Sequence, residues 1–187
     1  DTGADFKRIE ETVVKIRETE LALAPRRAGI PYWVTEAGSP WRRGDNLERA
    51  TLRDDLRSAS EFAALTAEFR ALGFERFVAF EFGFYGEHHN NFGMMDRNFT
   101  PLRSMASYLH SIRKLGHKRY IGDLRIPGAV RSRTFSDGKT AVTLVYTGML
   151  EDRTGELALP RGLKPESVTG LDGRPLEIRD CLLYTSP

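Results

Sequence analysis

Glu36 is the residue whose type and position speak most directly to chemistry. It closes the run Ile30-Pro31-Tyr32-Trp33-Val34-Thr35, which is short, aromatic and β-branched, and it precedes Ala37-Gly38-Ser39-Pro40, a turn signal. A carboxylate held at the end of a buried strand can attack an electrophilic carbon or stabilise a developing positive charge. Its plainer reading is a strand-end acid that caps a turn or pairs with an arginine. Glu81 lies inside a second apolar run, Phe77-Val78-Ala79-Phe80-Glu81-Phe82, where an unpaired charge is expensive. Three readings stand for it: a group that bonds a substrate hydroxyl or orients Glu36, an ion pair with Arg42, Arg43 or an arginine further upstream, or a second reacting carboxylate. Two carboxyls about 5–5.5 Å apart suit a nucleophile and a proton donor acting on one acetal.

Trp41, Phe84 and Tyr85 follow these two strands, and flat rings at a site mouth suit the C–H faces of sugars. One of the three is expected to pack under a loop, and Trp33, in mid-strand, is expected in the core. Glu87-His88-His89-Asn90-Asn91 is a dense hydrogen-bonding run. His88, His89 and Asn90 are read as contacts to hydroxyl groups, against the alternative of a solvated loop. Adjacent histidines diverge and lack a spaced partner ligand, so no metal site is expected. His110 and His117 read as surface residues. No phosphate loop, dinucleotide fingerprint or Gly-x-Ser-x-Gly elbow occurs, and no cofactor is expected.

The elements that must hold these residues alternate. Phe6, Ile9, Val13 and Ile16 form a helical stripe that Pro25 and Gly29 close. Leu52, Leu56, Ala59, Phe62, Leu65, Phe69 and Leu72 form a second, stopped by Gly73. Pro101 opens a third, with Leu102, Met105, Leu109 and Ile112 on one face and Gly116 behind it. Helices alternating with strands apolar throughout predict parallel βα units. Beyond Lys118 the period changes to two. Val130–Phe135 and Ala141–Tyr146 flank the turn Ser136-Asp137-Gly138-Lys139, and Glu156–Leu159 and Val168–Leu171 are predicted as further short strands.

The string Pro31-Tyr32-Trp33-Val34-Thr35-Glu36-Ala37-Gly38 resembles the seventh-strand signature of the large clan of retaining glycoside hydrolases. Asn91-Phe92-Gly93-Met94 and Thr100-Pro101-Leu102-Arg103 are similar to the phrases that follow that clan's last strand. Val168-Thr169-Gly170-Leu171-Asp172-Gly173-Arg174-Pro175-Leu176 is similar to the small sandwich trailing many of its members. The resemblance runs from about Phe6 to Ile178. It implies the C-terminal part of a (β/α)8 TIM barrel over residues 1–117, and an incomplete antiparallel β-sandwich module over 118–178. Residues 179–187 read as a non-native tail. It also implies a β-linked carbohydrate substrate and double displacement, with Glu36 as nucleophile. The clan's acid/base, a strand-four Glu preceded by Asn, has no counterpart here, so it is expected in a missing N-terminal half of the same chain. The fragment is expected to be inactive alone. A carbohydrate-binding barrel without catalysis and a barrel enzyme of another chemistry are the alternatives.

The 187 residues suit one ordinary domain or one and a half smaller ones. Interspersed charges, 28 basic against 26 acidic, leave a net +2 with no footprint for nucleic acid. No apolar run approaches the roughly 20 residues of a membrane helix. The lone Cys181 can form no intrachain disulfide, and localisation stays open between secreted and cytoplasmic.

Overall fold

The computed structural model describes residues 11, 14–15, 18–19, 30–42, 50–87, 90–129, 131–146, 158–160 and 162–177. In chain order its elements are β1 (Trp33–Ala37), β2 (Trp41–Arg42), α1 (Leu52–Ala71), β3 (Arg76–Ala79), β4 (Gly86–Glu87) and β5 (Asn90–Asn91). Then come α2 (Arg103–Leu115), β6 (Arg119–Gly122), β7 (Arg131–Ser136) and β8 (Ala141–Tyr146). The stripe Phe6, Ile9, Val13 and Ile16 lies outside the described residues.

α1 starts and stops where its sequence says it should. The Thr51 side chain accepts from the Asp54 amide, Asp54 and Asp55 meet the positive end of the helix, and Gly73 takes φ 86° just past it. Its buried face, from Ser58 to Phe69, is shared among three neighbours. Leu65 and Phe69 meet Val34, Ala37 and Phe77 of the β1–β3 pair. Phe62 meets Met94 and Met105, and Ala64 and Ala67 meet Phe135 and Tyr146 of the last sheet. Each fully buried large side chain contributes about 1.5–3 kcal/mol.

α2 buries a different face from the predicted stripe. Leu109 and Ile112 are exposed, whereas Ser104, Ser107 and Ser111 are buried beside Met105 and Leu115. Small side chains let α2 lie close to α1, and the Ser107 hydroxyl donates to the Ala59 carbonyl at 2.7 Å. Leu102, at the start of α2, offers no cap, so the Asp55 carboxylate of α1 accepts from the Arg103 amide at 2.9 Å instead.

The expected barrel portion does not form. Among the described residues the sheets have two or three strands, none is closed, and two helices accompany them. β1 and β3 are a parallel pair, with Trp33 opposite Arg76 and Val34 opposite Phe77. Closing a barrel needs every strand bonded on both edges and tilted about a common axis, which one parallel pair cannot supply. Nor do the described residues form the expected sandwich. β6, β7 and β8 form one antiparallel sheet, and its apolar face rests on α1 rather than on a second sheet. The stretch Val168–Leu171 contributes only the isolated bridge Thr169–Pro175, and Ala158 and Leu159 are not in a strand.

A buried ion pair locks this last sheet to α1. Arg133 of β7 donates to both carboxylate oxygens of Glu68, at 3.0 and 2.6 Å, and Glu68 is 0% exposed. Arg131 stands 3.5 Å from the same carboxylate, and Asp123 and the Tyr120 hydroxyl share the far side of the Arg133 guanidinium.

Candidate active site

Glu36 owes its direction to an irregularity in β1. Val34 pairs with Phe77 and Ala37 with Ala79, so three steps along β1 match two along β3. The extra residue is a β-bulge spanning Thr35 and Glu36. Strict alternation would turn Glu36 to the side of Val34, against Leu65 and Phe69 of α1. With the bulge, Val34 and Ala37 both pack against α1, while Thr35 and Glu36 are both exposed on the open side. The parity of the sequence held a signal for this. Val34 and Ala37 are three apart, an odd spacing that two inward-facing strand residues reach only through an inserted residue.

The turn after Glu36 is pinned from below. The Ser39 hydroxyl bonds the Glu61 carboxylate, Ser58 donates to the Ser39 carbonyl at 3.0 Å, and Arg57 donates to the Pro40 carbonyl at 2.7 Å. All three partners lie on α1. Burial raises the Glu61 carboxyl above its ordinary value, against the lowering pull of Ser39 and Arg57. Gly38 lies directly on the end of β3: a Cβ there would come within 1.9 Å of the Phe80 carbonyl oxygen, so no other residue fits.

Glu81 follows β3 by two residues. The Phe80 amide donates to the Ala37 carbonyl at 2.9 Å, so the ends of the two strands stay in register as they reach the loops. The Phe80–Glu81 peptide bond is cis. Glu81 uses both its backbone groups, donating to Phe92 at 3.1 Å and accepting from Met94 at 3.0 Å. Its side chain is half-buried, and neither it nor that of Glu36 has a hydrogen bond or ion pair among the described residues.

The loop beyond Glu81 is built on Asn91 and Gly93. The buried Asn91 side chain accepts from the Tyr85 and Gly93 amides at 3.2 and 3.0 Å. A Cβ on Gly93 would meet the Gly83 carbonyl oxygen at 2.2 Å, so the two arms of the loop touch through backbone. Tyr85 and Phe92 both stand edge-on to Phe80, with ring centres 5.3 and 5.6 Å away. Tyr85 remains partly open to solvent, and Phe84 is half-buried.

Trp41 is not at an open mouth. It is 1% exposed, and its indole nitrogen faces the Gly93 carbonyl at 3.4 Å, beneath the loop. The opposite holds for Trp33, expected in the core: it is 49% exposed on the open side of β1, with the Arg76 guanidinium 4.5 Å above its ring. Asn90 is half-buried in β5, paired across to Glu87 and Arg42. His88 and His89 lie outside the described residues, as does Arg43.

The structure thus gathers Glu36, Glu81, Phe84 and Tyr85 at the C-terminal end of one parallel pair. Trp41 supports that end from inside. No protein-family model matches the chain, and no curated protein or solved structure matches it.

Proposed function

We propose that this chain carries the nucleophile of a retaining glycoside hydrolase acting on β-linked sugars, and that Glu36 is that nucleophile. The observation that carries the reading is the bulge that turns an unpaired carboxylate out of the α1 interface, at the C-terminal end of two parallel strands. Bulges cluster beside active sites because they re-aim one side chain without unmaking the strand. The sequence strings around Glu36, Phe92 and Pro101 lend support by their resemblance to the retaining clan.

In the first step a Glu36 carboxylate oxygen bonds the anomeric carbon. The carbon–oxygen bond to the leaving group breaks, and its electron pair departs with that oxygen, which takes a proton from a donor outside residues 1–187 of the same protein. In the second step water attacks the same carbon, loses its proton to that group, and frees Glu36 with retention.

A leaving group that needs no proton tests this reading in the chain as it stands. Dinitrophenolate departs unaided, so 2,4-dinitrophenyl 2-deoxy-2-fluoro-β-glycosides should label Glu36 even without the proton donor. The fluorine slows the second step, and peptide mass mapping reads the adduct. Glu36→Gln should take no label. Saturable sugar binding without any label would favour a carbohydrate-binding protein instead.

A further inference from the structure

We infer that Glu81 holds the sugar that sits at Glu36, accepting hydrogen bonds from neighbouring ring hydroxyls; this rests on the function proposed above.

Among the described residues no hydrogen bond or ion pair uses the Glu81 side chain. The backbone of the residue is fixed on both sides by Phe92 and Met94. The loop around it is braced by Asn91 and by the backbone contact at Gly93. The residue is half-buried, and its carboxylate has no donor among the described residues. A ligand rich in hydroxyl donors would supply the partners that the described residues do not.

The surroundings suit a sugar. Neighbouring strands run about 4.8 Å apart, and the Gly38 turn behind Glu36 is in direct contact with the Phe80 carbonyl that precedes Glu81. The Glu81 backbone therefore leaves the strand next to the one that carries Glu36, at the same strand ends. One Glu81 carboxylate oxygen faces Gly83, which brings no side chain: a Cβ added there would sit 3.6 Å from it. On the same loop the rings of Tyr85 and Phe92 both pack against that of Phe80, and Tyr85 stays partly open to solvent. An exposed ring suits the C–H face of a pyranose, and a carboxylate accepts from its hydroxyls.

The test uses the full chain and the dinitrophenyl 2-fluoro-β-glycoside that labels Glu36, together with its 3-, 4- and 6-deoxy derivatives. Losing a hydrogen bond to a charged group should raise the half-saturating probe concentration roughly ten- to a hundredfold in Glu81→Gln. The limiting labelling rate should change much less. At least one deoxy derivative should bind the native chain more poorly, and Glu81→Gln should weaken it further by less than it weakens the parent probe, because the two changes remove contacts between the same groups. Circular dichroism should give the same spectrum and melt for the native chain, Glu81→Gln and Glu81→Ala.

An unchanged half-saturation in Glu81→Gln, with Glu36 still labelled, would overturn the inference and leave the proposed function standing. No label on Glu36 in the native chain would remove both. Hydrolysis of the unfluorinated aryl glycoside that Glu81→Ala loses, and that azide restores as the β-glycosyl azide, would make Glu81 the proton-transfer residue and also overturn it. Unfolding of both variants would give Glu81 the structural role denied here.

Discussion

Two regions of this molecule treat their carboxylates in opposite ways. At the seam between α1 and the last sheet, Glu68 is wholly buried and gripped at both oxygens by Arg133, with Arg131 beside it. At the ends of β1 and β3, Glu36 and Glu81 sit one strand apart, and neither side chain has a partner among the described residues. A buried charge must be matched within the fold, so the first arrangement reports on structure. A strand-end charge left unmatched, on a backbone fixed by other groups, is available to something that binds. The contrast separates carboxylates the fold depends on from carboxylates it merely holds out.

Glu68→Ala should be the most damaging single change. It would strand the Arg133 guanidinium, 8% exposed at the side chain, without its main partner. Breaking a buried pair from one side costs about 3–5 kcal/mol, read as a shift of the urea midpoint. Replacing both partners together with apolar residues of similar volume, as in Glu68→Met with Arg133→Leu, should cost much less. A single-variant loss under about 1 kcal/mol would erase the distinction between the two regions.

Gly38→Ala comes next. Its new methyl would lie 1.9 Å from the Phe80 carbonyl oxygen, so β1 and β3 must part at their ends. Overpacking of this kind costs about 1–3 kcal/mol, seen as a lower melting temperature. The sharper readout is Glu36 labelling, which should fall far more than the stability does, because the turn behind the nucleophile moves.

Some of this was legible in the sequence. The stripe from Leu52 to Leu72 and the stop at Gly73 mark out α1, and the alternation around Ser136-Asp137-Gly138-Lys139 marks β7 and β8. The barrel was not a sound inference. Apolar strands in alternation with helices specify local βα pairing, but not how many strands one sheet gathers. The seam was hidden for another reason: Glu68 and Arg133 are 65 positions apart, and neither type signals burial. The serine face of α2 escaped because a search for large apolar residues picks Leu109 and Ile112, which are exposed. At the site, Glu36 falls near the end of β1 as read, whereas Glu81, expected inside the second strand, lies two residues past the end of β3. Trp33 and Trp41 came out reversed, because a ring's burial depends on what covers it and not on whether it lies in a strand or a loop.

A smaller effect is expected where α2 meets residues 162–177. The His110 ring bonds the Thr169 hydroxyl at 3.1 Å and packs against Gly173. Burial lowers its pKa below the ordinary 6.5, with Lys114 and Arg113 adding to the shift and Asp172 opposing it. A folded value below the unfolded one favours the neutral ring. The stabilisation is therefore whole above pH 6.5 and lost as pH falls from there through the folded value. The urea midpoint should decline between pH 7.5 and 5.5, and His110→Gln should flatten that part of the slope. An unchanged slope would place the pH dependence elsewhere.

Glu36→Gln should have the smallest effect on stability and the largest on chemistry. The side chain is exposed and unpaired among the described residues, so the amide neither strands a partner nor fills a space. Surface changes of that kind stay within about 0.5 kcal/mol. The bulge would persist, because Val34 and Ala37 still have to face Leu65 and Phe69 while pairing with Phe77 and Ala79. The amide would therefore occupy the same place and direction, but it is a far weaker nucleophile than a carboxylate, and labelling should vanish. Melting curves of native chain and variant should overlay, while mass mapping finds the adduct only in the native chain. A melting temperature lowered by several degrees would show that Glu36, like Glu68, is needed by the fold, and the two regions would no longer differ in kind.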